Sequence, residues 1–157
     1  VKNRQTQYFP LVVFVLDDRR YGLHLHVVER VLHAVDVTPL PKAPDIVLGL
    51  INVKGKVTPL LNIRKRFHLK EKEIELQDHF IVARTSRRTI AVPVDSAEGV
   101  TEILSREIVD AKDASPGLDY VQGVVKLEDG MLLIHDLERF LCLEEEMTLE
   151  EALKGQG

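Results

Sequence analysis

Short apolar runs broken by turn residues constrain the fold of this chain more than any other feature. Leu11–Leu16 is β-branched and apolar, Asp17-Asp18-Arg19-Arg20 interrupts it, and Tyr21–Leu25 resumes with alternation, which predicts a hairpin. Arg30–Val35 reads as a third strand. Thr38–Pro44 carries prolines at 39, 41 and 44; proline removes a donor and fixes φ, so a surface loop is expected. Leu48–Lys54 and Val57–Leu61 flank Gly55-Lys56 as a second hairpin. Asn62–Phe67 has helical spacing with Asn62 as its N-cap, and Lys70–Gln77 is a charged connector. Phe80–Arg84, Ile90–Val94, Gly99–Leu104, Val121–Leu127 and Met131–His135 read as further strands. One helical turn is expected at Ser105–Val109, a loop at Asp113–Asp119, and terminal helices at Asp136–Leu143 and Glu144–Lys154. Strands this dense, without long helices between them, exclude an alternating β/α sheet and leave small barrels or a sandwich.

The chain also repeats itself. Gly49-Leu50-Ile51-Asn52-Val53-Lys54 leads through Gly55 to a strand and then to Asn62–Phe67; Gly123-Val124-Val125-Lys126-Leu127-Glu128 leads through Gly130 to a strand and then to Asp136–Phe140. Glycine to phenylalanine spans 18 positions in the first case and 17 in the second. The opening hairpins correspond too, Phe14–Leu25 around Arg19-Arg20 and Phe80–Val92 around Arg87-Arg88. Five strands per half suit two small barrels, each too small to be stable alone, so a shared apolar seam is expected.

Composition narrows the function. At 157 residues with 45% apolar and 29% charged side chains, the chain is long enough to bury a core and is not a disordered segment. Its net charge of −4 gives no general attraction to phosphate backbones, so nucleic-acid binding is not expected. The single cysteine, Cys142, permits no internal disulfide and suits a reducing compartment; its apolar setting predicts a packing role. The apolar run Pro10–Leu16 is far below the roughly 18 residues of a membrane span, so a cytoplasmic protein without membrane insertion is expected.

Catalytic signals are weak. His24 and His26, two apart on an expected strand, would share a face as some metal sites require, but His33, Asp17 or Glu29 as a further ligand is not fixed by spacing. Asp17-Asp18 and Asp95-Glu98 could pair carboxylates for acid–base work, although hairpin tips collect solvated acids anyway. Neither a nucleophile elbow nor a glycine-rich phosphate loop is present. Lys54, Lys56, Arg64, Lys65 and Arg66, with Lys70 and Lys72, form a basic cluster with only Phe67 as a stacking group, which reads as a solvated face rather than an RNA platform. An apolar surplus remains at Val28, Val35, Val37, Leu40, Leu48, Val100 and Ile103 beside turns and prolines. Some of it should line the seam or a surface groove, which suggests docking of another protein.

The ordered set of Phe14-Val15-Leu16, Tyr21-Gly22-Leu23, Val28–Val31, Pro39–Pro44, Leu48–Gly55 and Thr58–Ile63 resembles the CheW-like domain of chemotaxis coupling proteins. Ile90–Asp95, Gly123-Val124, Met131–Ile134 and Leu137 extend that likeness through the second half. The resemblance implies an all-β fold with short helices: two five-stranded SH3-like β-barrels sharing a hydrophobic core. One such domain would cover residues 9–143, with the first barrel at 9–72, the second at 78–143, and a C-terminal helix and tail at 144–157. It also implies a non-enzymatic adaptor, without cofactor or metal, that couples the regulatory domain of the histidine kinase CheA to the cytoplasmic tip of methyl-accepting chemoreceptors. The receptor's helical hairpin would lie in an apolar groove between the barrels, and the kinase would meet a barrel edge. Val28, Arg30, Gly49, Lys54 and Gly55 fall on family positions associated with partner contact, and Val94 and Val100 join Val28 as expected groove lining. Arg30 stands where the family often has Glu, and Lys54 where it usually has Arg; Lys54 keeps the charge but not the planar fork. The alternative reading is a small-ligand or metal-binding β-barrel using His24 and His26.

Overall fold

A computed structural model describes residues 7–110, 120–128 and 130–155; the loop expected at Asp113–Asp119 lies outside the described residues. The strands are β1 (Tyr8–Leu16), β2 (Arg19–His24), β3 (Val28–His33), β4 (Val47–Val53), β5 (Lys56–Leu61), β6 (His79–Arg84), β7 (Thr89–Val94), β8 (Ser96–Leu104), β9 (Ile108–Asp110), β10 (Val121–Leu127) and β11 (Gly130–His135). They form a six-stranded sheet ordered β8-β1-β2-β11-β10-β9 and a five-stranded sheet ordered β3-β6-β7-β5-β4.

The internal repeat is visible in these orders. Each sheet runs from an edge strand to an antiparallel hairpin, then through a parallel pairing to a second hairpin. The parallel pairings are β11 with β2 and β5 with β7. The glycine hairpins match in detail, because β4 shifts register between Val47 and Gly49 and β10 does so between Val121 and Gly123. A side chain at either glycine would strike the neighbouring segment: a Cβ at Gly49 would lie 2.6 Å from the Thr38 carbonyl oxygen, and one at Gly123 2.7 Å from Ile108 Cγ2.

The sheets do not divide the chain at the charged connector. One sheet gathers β3 to β7, which are consecutive, whereas the other combines the opening hairpin β1–β2 with β8 to β11. Assigning 9–72 to one barrel and 78–143 to the other therefore does not follow the strand pairing. Nor do the sheets close into barrels. A single stretch of chain reaches both ends of the six-stranded sheet: β8 pairs with β1, β9 pairs with β10, and a 3₁₀ turn at Ser105–Glu107 breaks the ladder between them. In the other sheet β3 pairs with β6 and only Thr38 returns to bridge Leu50, with irregular chain between. The sixth strand and the open edges share this cause. It also corrects the expectation of a full helical turn through Val109.

Strands buried on both faces serve two cores, which explains why their sequences are nearly continuous apolar runs. In β1, Leu11 and Val13 point into the six-stranded sheet with Ile103, Val125, Leu132 and Ile134. Phe14 and Leu16 point the other way, into the seam between the sheets. In β6, Phe80 and Val82 pack inside the five-stranded sheet while Ile81 and Ala83 join the seam. The seam therefore holds residues from both sheets, as the small size of each half requires.

The hairpin turns follow turn chemistry. Asp17 and Asp18 have φ of 50° and 64°, and Lys54 and Gly55 have 48° and 86°, the two-residue left-handed geometry that matches strand twist. Asn52 Oδ1 accepts the Gly55 N–H at 2.7 Å. Helix α1 (Ile63–Arg66) is capped by Asn62, whose Oδ1 accepts the Lys65 N–H at 3.3 Å. The expected helix at Asp136–Leu143 is only a 3₁₀ turn at Leu137–Arg139, because Leu137 and Phe140 are pulled into the seam and the Phe140 carbonyl accepts from Arg66 Nε at 2.7 Å. Helix α2 (Leu143–Lys154) then packs Leu149 and Ala152 onto Leu40. Cys142 is exposed at its N-cap, so the packing role expected of that thiol is not realised.

Candidate functional site

The open edges β3 and β8 flank a groove of about 510 Å³ between the two sheets. Val12 of β1, Leu25, Val28, Val31 and Leu32 around β3, and Ala97 and Val100 of β8 make its lining mainly apolar. Leu25 is 39% exposed, Val31 40% and Val100 55%, so the groove presents apolar surface that the fold leaves uncovered. β3 shifts register between Val28 and Arg30, and a bulge of this kind kinks the strand and re-aims its side chains. A larger depression of about 770 Å³ lies at the turn end of the six-stranded sheet, but it is half polar and holds the Arg20–Glu98 ion pair at 3.1 Å. Of the two depressions, the smaller one carries the uncovered apolar lining.

The expected site residues separate into three places. Val28, Arg30 and Val100 share the groove. Lys54 and Gly55 form the exposed tip of the β4–β5 hairpin, with Gly49 buried beneath its other end against Val37 and Thr38. Val94 is 1% exposed, and its side chain is covered in the seam by residues of both sheets rather than lining the groove. Of the apolar surplus, Leu40 is buried under α2 and Ile103 inside the six-stranded sheet. Val12, Leu25, Val31, Leu32 and Ala97 were not singled out in the sequence. Local alternation in β1, β3 and β8 does not reveal that β3 and β8 are edges.

An ion cluster ties the sheets together at the end of the seam. Arg64 Nη1 donates to Asp17 Oδ1 at 2.9 Å, and Arg64 Nη2 donates to both Asp95 carboxylate oxygens at 2.7 and 2.9 Å. Asp95 Oδ2 also accepts the Asp17 N–H at 2.9 Å, and Lys72 Nζ lies 3.5 Å from Asp95 Oδ1. Burial works against ionisation of Asp95, but the Asp17 amide and the Arg64 guanidinium outweigh it and hold the carboxyl below its ordinary range. Burial likewise disfavours the Arg64 cation, and its bonds to Asp95 and Asp17 overcome that. These acids are structural counterions, not an acid–base pair. Three of the seven members of the basic cluster are paired as well: Arg64 as above, Arg66 with Glu145, and Lys72 facing Asp78 and Asp95.

The paired imidazoles lie close together but gain no third ligand among the described residues. β2 ends at His24 and His26 sits in a 3₁₀ turn, so they do not share a strand face; their ring centroids are 5.6 Å apart. His24 Nε2 lies 3.0 Å from Gln122 Oε1, and burial lowers its pKa. Among the described residues no three His, Cys, Asp or Glu side chains converge on a point that could hold a metal. Also among them, no helix is long and apolar enough to cross a membrane.

Comparison with known proteins agrees with this architecture. The chain is 26% identical over 145 residues to chemotaxis protein CheW of Treponema pallidum, covering 88% of this chain and 85% of that one. It is 26% identical over 145 residues to chemotaxis protein CheW of Thermotoga maritima, covering 92% and 93%. The crystal structure of the scaffolding protein TtCheW from Thermoanaerobacter tengcongensis superposes with a TM-score of 0.79 at 25% identity, covering 88% of this chain and 96% of that one. The profile of the CheW-like domain matches residues 10–145, and this chain belongs to that family.

Proposed function

We propose that the protein is a non-catalytic chemotaxis adaptor on the cytoplasmic side of the membrane, docking chemoreceptor tips in the β3/β8 groove and CheA through the surface around the β4–β5 hairpin. The observation that carries this reading is the uncovered apolar groove between the two open sheet edges, containing Val28 and Val100. An α-helix can lay an apolar stripe into such a groove. The exposed Lys54-Gly55 tip is a separate surface, and an adaptor needs two surfaces that can be occupied at once. Holding kinase against receptor lets a conformational change in one bias the other. The family, and the scaffolding protein among the solved relatives, support a role without chemistry. The net charge of −4, with three of the seven basic-cluster members paired internally, weighs against nucleic acid as partner.

Co-sedimentation of receptor-bearing membranes with CheA from the same organism tests the reading. Kinase recruitment and activation are expected with this protein present and absent without it. Recruitment that is equal without it would overturn the adaptor role.

A further inference from the structure

A pair of histidines closes one end of the groove. His33 of β3 and His79 of β6 stand opposite each other in the register, two residues past Val31 and Ile81 and on the same strand face. Ile81 belongs to the seam and both histidines belong to the groove lining, so this face of β3 and β6 runs from seam to groove. The ring centroids are 4.9 Å apart at an interplanar angle of 37°. His33 is exposed, His79 is half-buried, and His79 Nδ1 is buried without a hydrogen-bond partner. Among the described residues no carboxylate pairs with either ring. Asp78, next to His79, accepts the Glu75 N–H at 2.8 Å and faces Lys72 Nζ at 3.6 Å. Glu29 sits towards the other end of β3, with its Oε1 3.4 Å from Thr89 Oγ1. Arg30 pairs in register with Val82, on the face that packs inside the five-stranded sheet. From the neighbouring strands come only residues that do not ionise: Val94 of β7 opposite His79, and Val12, Ala97, Gly99 and Val100 in the lining.

Histidine is the side chain whose charge changes between about pH 5 and 8. On the free protein an imidazolium at this end of the groove is solvated. Under a helix that lays an apolar stripe in the groove, it would be stripped of water beside apolar side chains and without an internal counterion. A second proton would add repulsion between two rings this close. We propose that the His33–His79 pair makes helix docking in the groove proton-sensitive, so that acidification releases the receptor tip. The inference rests on the groove being the receptor-docking site. The sign follows from linkage: the docked protein binds fewer protons than the free one, so affinity falls as pH drops, by at most about tenfold per pH unit for each proton excluded.

Sedimentation with receptor-bearing membranes of the same organism, without the kinase, measures the affinity of the full chain from about pH 8 to about pH 6. Circular dichroism at each pH confirms that the protein stays folded. The wild type should bind about tenfold more weakly at the acid end. His33→Gln, which alters only an exposed side chain, and the double variant with His79→Gln keep a polar group but take no charge. Both should bind like the wild type at the alkaline end and lose most of the fall. An equal fall in the double variant would place the titrating group on the receptor or elsewhere and overturn the proposal, as would wild-type affinity that stays constant or rises on acidification. Val28→Asp, measured at the alkaline end, tests the groove separately. If it loses binding while the double variant titrates like the wild type, the groove reading stands and the proton sensitivity fails. If it binds like the wild type, the groove is not the docking site and both fall.

Discussion

The two sheets meet in two ways, and Val94 and Val100 mark the difference. At the seam Val94 is 1% exposed among Phe14, Leu23, Ile81 and Val92. At the groove Val100 is 55% exposed between two sheet edges. Both are valines in apolar strands only six positions apart. What separates them is strand rank: β7 is flanked by β6 and β5, whereas β8 ends its sheet. An apolar strand face becomes core or exposed surface according to whether the other sheet packs against it.

Aspartate substitution gives the sharpest break in that comparison. Val94→Asp places a carboxylate among seam side chains with no cation to meet it, and should cost about 4 kcal/mol or more of a stability that is typically about 5–15 kcal/mol. Val100→Asp should change stability by less than about 0.5 kcal/mol, as exposed substitutions usually do, while weakening receptor-tip binding. Urea denaturation and tip binding on the same two variants check this. Equal destabilisation by both would mean that Val100 is core.

The seam also contains a histidine that should make it acid-sensitive. His135 is 2% exposed and packed by Phe14, Tyr21, Phe67 and Phe140, with the Phe67 ring centroid 4.0 Å away. Neither ring nitrogen meets a hydrogen-bond partner among the described residues. Burial holds its pKa well below the ordinary 6.5. The unfolded chain therefore binds a proton that the folded one refuses, and stability falls as pH drops below 6.5. The slope approaches about 1.4 kcal/mol per pH unit until the folded state titrates. His135→Phe should flatten the stability profile between about pH 6.5 and 5, and at neutral pH leave stability equal or higher, since unpaired polar atoms are removed. A slope unchanged in that variant would assign the acid response elsewhere.

A third prediction contrasts the two glycines of one hairpin. Gly49→Ala drives a methyl to 2.6 Å from the Thr38 carbonyl oxygen, a backbone atom that cannot swing away. A loss of about 1–3 kcal/mol is expected, as for overpacked sites. Gly55→Ala meets nothing within 4 Å, and its strain comes only from a φ of 86°. It should therefore cost less, about 1 kcal/mol. Thermal melts of the two variants rank them, and a larger loss at Gly55 would contradict the close approach at Gly49.

Much of this was legible in the sequence because turn chemistry and strand periodicity are local. The Asp17-Asp18 pair and Gly55 mark their hairpins, although the turns are Asp17-Asp18 and Lys54-Gly55 rather than Asp17–Arg20 and Gly55-Lys56, Asn62 marks its helix, and the repeat predicts matched halves that the matched bulges at Gly49 and Gly123 bear out. Pairing rank is not local. Nothing near Val94 or Val100 says which strand is central, and nothing near Tyr8–Leu16 says that β1 will sit beside β8. The short turn before the third strand is legible and is a 3₁₀ turn at Leu25–Val27, whereas the 3₁₀ turn at Leu137–Arg139 is hidden, since tertiary packing overrides short-range helix preference. The groove was anticipated as a surplus of apolar side chains, but its membership depended on which edges stay open.

Lys54 supplies the smallest expected effect on stability and separates the hairpin surface from the groove. It is exposed at the β4–β5 tip, and no ion pair to it is present among the described residues. Reversing its charge removes nothing from either core, so Lys54→Glu should move the melting midpoint by no more than about 0.5 kcal/mol equivalent. If the hairpin meets CheA, the same variant should weaken kinase capture and leave tip binding at the groove intact, because the two surfaces share no side chain. Val100→Asp should do the reverse. Loss of both partners in Lys54→Glu would mean that the surfaces are coupled through the five-stranded sheet, and unchanged kinase capture would take Lys54 out of the interface.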